Sequence, residues 1–131
     1  MYRRLIQDMP IIAAEAAIEL DNAYNKRPLK RESLEKLSTA LKELSNSSEF
    51  SIKYDPGLWS FLSQYKGRII ALEEISEVLN EFSEELLKST DNEDKIAVFR
   101  DRCVKISRLF ISYEKNLKNS KFNKSQRIQN F

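Results

Sequence analysis

Residues 72–117 read LEEISEVLNEFSEELLKSTDNEDKIAVFRDRCVKISRLFISYEKNL and carry the strongest structural signal in the chain. The first half spaces Leu72, Ile75, Leu79, Phe82 and Leu86 by alternating threes and fours. The second half repeats the rhythm with Ile96, Phe99, Cys103, Ile106, Phe110, Tyr113 and Leu117. That spacing sets one apolar side chain per turn along one side of an α-helix. Between the halves stands Ser89-Thr90-Asp91-Asn92-Glu93-Asp94, a polar interruption short enough to turn the second helix back along the first. Asp91 or Thr90 can cap the new helix, and Glu93 and Asp94 suit its positive first turn. The pattern predicts a long C-terminal antiparallel helical hairpin with two facing seams, on which the rest of the chain packs.

Composition agrees. Two glycines and three prolines in 131 residues, with 32% charged side chains, leave too few turn residues for a β-sandwich. The expected fold is all-α, a four- to five-helix bundle. One domain over 1–117 is large enough to bury a core without staples, and 118–131 reads as a basic, mobile tail beyond a fraying helix end.

Upstream, Tyr2 to Asp8 predicts one or two helical turns, with Pro10 in the first turn of a separate helix reaching about Asn25. Apolar residues occupy most sides of that second segment, including Ile11, Ile12, Ala13, Ala16, Ala17, Ile18 and Leu20, which predicts an enclosed helix. Pro28 stops it. Leu34, Leu37, Leu41 and Leu44 form one narrow stripe from about Lys30 to Leu44, that of an edge helix. Phe50, Ile52 and Tyr54 alternate with polar residues but have no second strand to pair with, so they predict an extended segment laid over the bundle. Asp55-Pro56 is a helix start, and Gly67 a break before the Leu72 seam. Phe61, Leu62, Tyr65 and Ile69 are expected to lead into that seam.

The chain has no histidine, which removes Ser-His and Cys-His nucleophilic pairs, most zinc sites and the Glu-x-x-His pairs of di-iron bundles. No metal and no cofactor is expected. Cys103 is the single cysteine, so it forms no internal disulfide, and its seam position predicts a buried, inert thiol. The longest apolar run, Met9 to Ala14, ends at Glu15 and is too short for a membrane span or a signal peptide after Arg3 and Arg4. A cytoplasmic protein with no membrane partner is expected.

Charge is divided. Residues 69–94 hold nine acids and one base, whereas 95–131 hold ten bases and two acids. One reading is a hairpin whose two solvated faces attract each other. The other gives Arg100, Arg102, Lys105, Arg108, Lys115, Lys118, Lys121, Lys124 and Arg127 to nucleic-acid phosphates, with Phe110, Tyr113, Phe122 and Phe131 as stacking aromatics. Trp59 falls off its helix's apolar stripe. With Ile70, Phe50, Ile52 and Tyr54 it forms a candidate partner-binding patch, since tryptophan is enriched in binding hot spots.

Glu73-Glu74-Ile75-Ser76-Glu77 resembles half of the magnesium site of the all-helical nucleoside-triphosphate pyrophosphohydrolases. The resemblance implies Mg²⁺ held on substrate phosphates by carboxylates of two helices. The family's second half, Glu-x-x-Asp on the following helix, has no counterpart: Glu93-Asp94-Lys95-Ile96 is followed by Ala97, and Glu114 lies far along the arm. Three functions follow, in order. The first is a non-enzymatic adaptor, immunity-type or accessory subunit acting through protein surfaces, with a protein partner or self-association. The second is an accessory subunit of a nucleoprotein complex. The third is an enzyme of the pyrophosphohydrolase kind.

Overall fold

The computed structural model describes the backbone of residues 2–47 and 55–129, and the side chains of 4–47 and 55–116. Its helices are α1 (Tyr2–Tyr24), α2 (Arg31–Ser45), α3 (Pro56–Lys66), α4 (Ile75–Leu87) and α5 (Glu93–Gln129). Single 3-10 turns at Leu72–Glu74 and Ser89–Asp91 lead into α4 and α5. No strand occurs among the described residues, and the Phe50, Ile52 and Tyr54 segment lies outside them.

The seams of the last two helices are buried nearly as spaced. Ile96, Phe99, Cys103, Ile106, Phe110 and Tyr113 of α5 are all buried, as are Ile75, Leu79, Phe82 and Leu86 of α4. Phe110 and Tyr113 are therefore core residues and not stacking platforms. Leu72 and Ile69, expected in the seam, are 54% and 77% exposed because the chain leaves the helical path at Gly67. The interruption reverses the chain as read, but Asn92 makes the cap: its Oδ1 accepts from the Asp94 N–H at 2.8 Å. The backbone stays helical to Gln129, past Leu117, where fraying was expected.

The two seams meet at Phe82 and Phe99, but neither helix has the other as its nearest neighbour. α5 lies closest to α1, and α4 to α2. The α1–α5 pair is antiparallel, joined by Ser107 Oγ donating to the Pro10 carbonyl (2.8 Å) and by Arg100–Asp21 (3.0 Å). The α2–α4 pair is antiparallel too, with Ser38 Oγ donating to Ser83 O (2.8 Å) and Arg31 Nη2 to Leu87 O (2.7 Å). Small residues permit both close approaches: Ala13, Ala16 and Ala17 on α1, Ser38 and Ala40 on α2. α4 and α5 meet through large side chains, Phe82 stacking on Phe99 with ring centres 5.3 Å apart.

α3 explains that separation. Phe61 and Tyr65 both pack edge-on against Phe82, at 5.5 and 5.2 Å, and Arg102 of α5 covers Tyr65. The short helix lies over the junction of α4 and α5 and fills it with aromatic rings. It gets there because Gly67 adopts φ 72° and ends the helix, with Arg68 N–H bonded to Ser63 O and Gly67 N–H to Gln64 O. Asp55 caps its start through the Leu58 N–H (3.1 Å), with Pro56 in the first turn as read.

Two details of α1 depart from the sequence reading. Pro10 lies inside one continuous helix, not at the start of a second. Ile6, Met9, Ala13, Ala16 and Leu20 form a buried stripe across it, and that burial offsets the roughly 3 kcal/mol a mid-helix proline costs. The apolar breadth of α1 is only partly used: Ile11 and Ile18 are 64% and 59% exposed. The helix ends as α3 does, with Arg27 N–H on Asn22 O and Lys26 at φ 62° in the position that favours glycine.

Two stability outcomes are expected from urea unfolding. Phe82→Ala, which empties the centre of the aromatic cluster, lowers stability by about 3–5 kcal/mol. Lys26→Gly raises it by about 1 kcal/mol, because a left-handed residue other than glycine carries a strain of about 1–2 kcal/mol.

Candidate functional site

The nine candidate cations fall into three groups. Arg100 belongs to the bundle: its guanidinium bonds Asp21 (3.0 Å) and Asp101 (3.3 Å) and lies over the Tyr24 ring at 5.0 Å. Arg102 is also structural. It is sandwiched on Tyr65 and Phe99, 4.9 Å from each ring centre, and burial lowers its pKa. Both are thus removed from the list of phosphate contacts. Lys105, Arg108 and Lys115 are exposed, and among the described residues none has an ion-pair or hydrogen-bond partner. Lys118, Lys121, Lys124 and Arg127 lie on the helical backbone of α5, and their side chains are outside the described set.

Lys105 and Arg108 line an open trough of about 500 Å³ between α3 and α5. Its α3 wall presents Ser60 and Gln64; its α5 wall presents Ser112 and Asn116; Phe61 and Leu109 make the apolar floor. A second hollow of about 260 Å³ continues it toward Arg102 and Val98, sharing Phe61, Gln64 and Lys105. Two carboxylates border the pair of hollows, and both are engaged. Asp55 caps α3 and Asp101 holds Arg100. The trough is therefore lined by two cations that have no ion-pair partner among the described residues, by neutral polar groups and, at the start of α3, by the Asp55 carboxylate.

Among the described residues no α4 carboxylate forms an ion pair with an α5 cation. Glu81 of α4 pairs with Lys66 of α3 at 3.0 Å, and Glu74, in the turn before α4, pairs with Arg68 of the loop after α3. A helix is about 10 Å across, a full Debye length at about 0.1 M salt. α3 lies over the α4–α5 junction and carries a single charge, Lys66. Tyr65, at the boundary, has its pKa pushed up to about 12, first by burial and then by Glu81 and Glu85, so its hydroxyl stays neutral at physiological pH.

Of the candidate partner patch, Phe50, Ile52 and Tyr54 lie outside the described residues, and Trp59 and Ile70 are turned inward. Ile70 is buried (2% exposed), and Trp59 is half-buried with its Nε1 donating to Ile70 O at 2.8 Å. The two tie the loop after Gly67 back onto α3 instead of forming an outward surface. Of the acidic string, Glu74 is committed: Arg68 clasps it through two bonds of 3.0 and 3.1 Å, and its Oε2 also accepts from the Ala71 N–H. Among the described residues no group of three or more metal-binding side chains converges. Cys103 is buried, and burial pushes its thiol up to about 12. No helix among the described residues is long and apolar enough to cross a membrane.

Ser60, Gln64, Ser112 and Asn116 escape a reading of the sequence, because they become neighbours only when α3 folds back beside α5. The available signal is two neutral polar pairs, each four residues apart and so on one helix face, in a chain otherwise rich in charge. Comparisons with protein-family models, with curated proteins and with solved structures found no match.

One pH effect follows from the loop. Arg68 and the Ala71 N–H hold Glu74 down to about 2 from its ordinary 4.5. Because the folded value is the lower one, the stabilisation is present above about pH 4.5 and is lost as pH falls through about 2. Thermal melting of Glu74→Gln is expected to show a shallower loss of stability than the parent across that window.

Proposed function

We propose that the protein is a non-enzymatic accessory subunit that contacts nucleic-acid phosphates through the cationic side of α5. The observation that carries this is the set Lys105, Arg108 and Lys115, exposed and without carboxylate partners among the described residues in a chain whose other described arginines on α5 are paired or stacked. Lysine and arginine in this state neutralise phosphates and release counterions, which favours binding without sequence readout. Serine, glutamine and asparagine beside them supply the neutral donors that phosphate oxygens also accept. The aromatic rings nearby are buried or covered, so base stacking adds little.

A second reading, an adaptor for a protein partner, is favoured by the side chains of Ile69 and Leu72, which stand exposed beside the acidic start of α4. Ile69→Asp is expected to abolish such an association and to leave nucleic-acid binding unchanged.

Fluorescence anisotropy with a labelled nucleic acid tests the first reading. Affinity should fall steeply with salt. Each lost phosphate contact removes about 0.7 from the log–log slope for a single strand, or about 0.9 for B-DNA. Lys105→Ala/Arg108→Ala is therefore expected to flatten the slope by about 1.4 for a single strand. Binding that is absent at low salt, or a slope unchanged in this variant, refutes the assignment.

A further inference from the structure

Resting on that reading, we infer that the ligand of the α3–α5 trough is a single strand, seated in the trough by its sugar-phosphate backbone, and not a duplex. Three observations lead there.

The first is shape. Lys105 and Arg108 do not stand on a projecting helix. Through Asn116, α5 is packed against α1 on one flank and faces α3 on the other, so the surface that carries Lys105 and Arg108 is concave. A B-DNA major groove about 12 Å wide admits a helix about 10–12 Å across only when that helix stands clear of its neighbours. A rigid duplex laid on this furrow meets its rims, whereas a flexible strand can enter it.

The second is charge placement. Lys105, Arg108 and Ser112 follow one another at three and four residues along α5, so they line one side of the trough over about 10 Å at 1.5 Å per residue. Ser60 and Gln64 face them from α3. A linear track of cations with neutral donors opposite is suited to successive phosphates of one chain.

The third is the floor. Phe61 is buried and Tyr65 lies under Arg102, so the trough offers no open aromatic face to a base. Bases then point outward, and the bound strand is distinguished by its backbone and not by its sequence.

The test separates this placement from the broader reading. Labelled oligothymidine and a mixed-sequence duplex of equal length are titrated against the parent protein, Ser60→Trp, Ser112→Trp and Lys105→Glu/Arg108→Glu. Ser60 and Ser112 are both exposed and stand on opposite walls, so each tryptophan narrows the trough from one side and removes no cation. A thermal melt verifies that each variant is folded. The parent is expected to bind the single strand more tightly than the duplex. Either tryptophan should weaken the single strand by about tenfold or more, a loss of about 1.4 kcal/mol.

Duplex binding as tight as single-strand binding, or single-strand binding untouched by both tryptophans, overturns the placement. In either case a loss in Lys105→Glu/Arg108→Glu still leaves α5 as the phosphate-binding face. If the charge-reversed variant binds like the parent, the broader reading fails with it. Equal binding of polyglutamate and oligothymidine also overturns the proposal, since it identifies an acidic protein segment as the occupant.

Discussion

The structure depends on the aromatic contact of α3 with α4 and α5. Phe82 has no exposed surface and is touched by Phe61 and Tyr65 of α3 and by Phe99 of α5. Such rings bury more area than aliphatic side chains and hold helices further apart. The bundle is therefore asymmetric. Alanine and serine draw α1 to α5 and α2 to α4, while the aromatic cluster opens the α4–α5 side and seats a fifth, shorter helix over it. Gly67 makes this possible, since the left-handed turn that ends α3 would strain any residue with a β-carbon.

The same arrangement governs the electrostatics. α3 carries one charged side chain, Lys66, and it is paired with Glu81. A nearly neutral helix thus lies over the junction of an acidic helix and a basic one. Had α4 and α5 closed directly on each other, Lys105 and Arg108 would stand near the α4 carboxylates, and the two faces would have cancelled at little net gain in stability. Lys105 and Arg108 face instead the furrow beside α3. Stability and surface chemistry are here consequences of one packing decision.

Arginine is used in two ways on α5. Arg100 and Arg102 follow the bundle outward from its core: one is tied to Asp21, the other is laid over Tyr65 and Phe99. Both act as long amphipathic side chains whose stems and planes cover apolar surface. Lys105 and Arg108 begin where the underlying rings stop, and they face open space. Cations within about two turns of one another on one helix thus serve packing in one case and stand open to solvent in the other.

Much of the fold was legible in the residue order. The heptads of α4 and α5, the leucine stripe of α2, the Asp55-Pro56 start, the Gly67 stop and the buried state of Cys103 all depend on local spacing or local chemistry, which a linear chain displays directly. Pro10 was misplaced because a proline's local cost is visible in sequence, whereas the continuous buried stripe that offsets it is realised only against α2 and α5. Ile70 and Trp59 read as surface because their burial requires the loop after Gly67 to fold back on α3. The cationic character of α5 was likewise plain in composition. Which of its cations are free, and the trough they line, was decided by tertiary structure alone, because it depends on the position of a neutral helix that periodicity cannot orient. Period determines which face of a helix is buried; the volume of the side chains on that face determines which helix buries it, and at what distance.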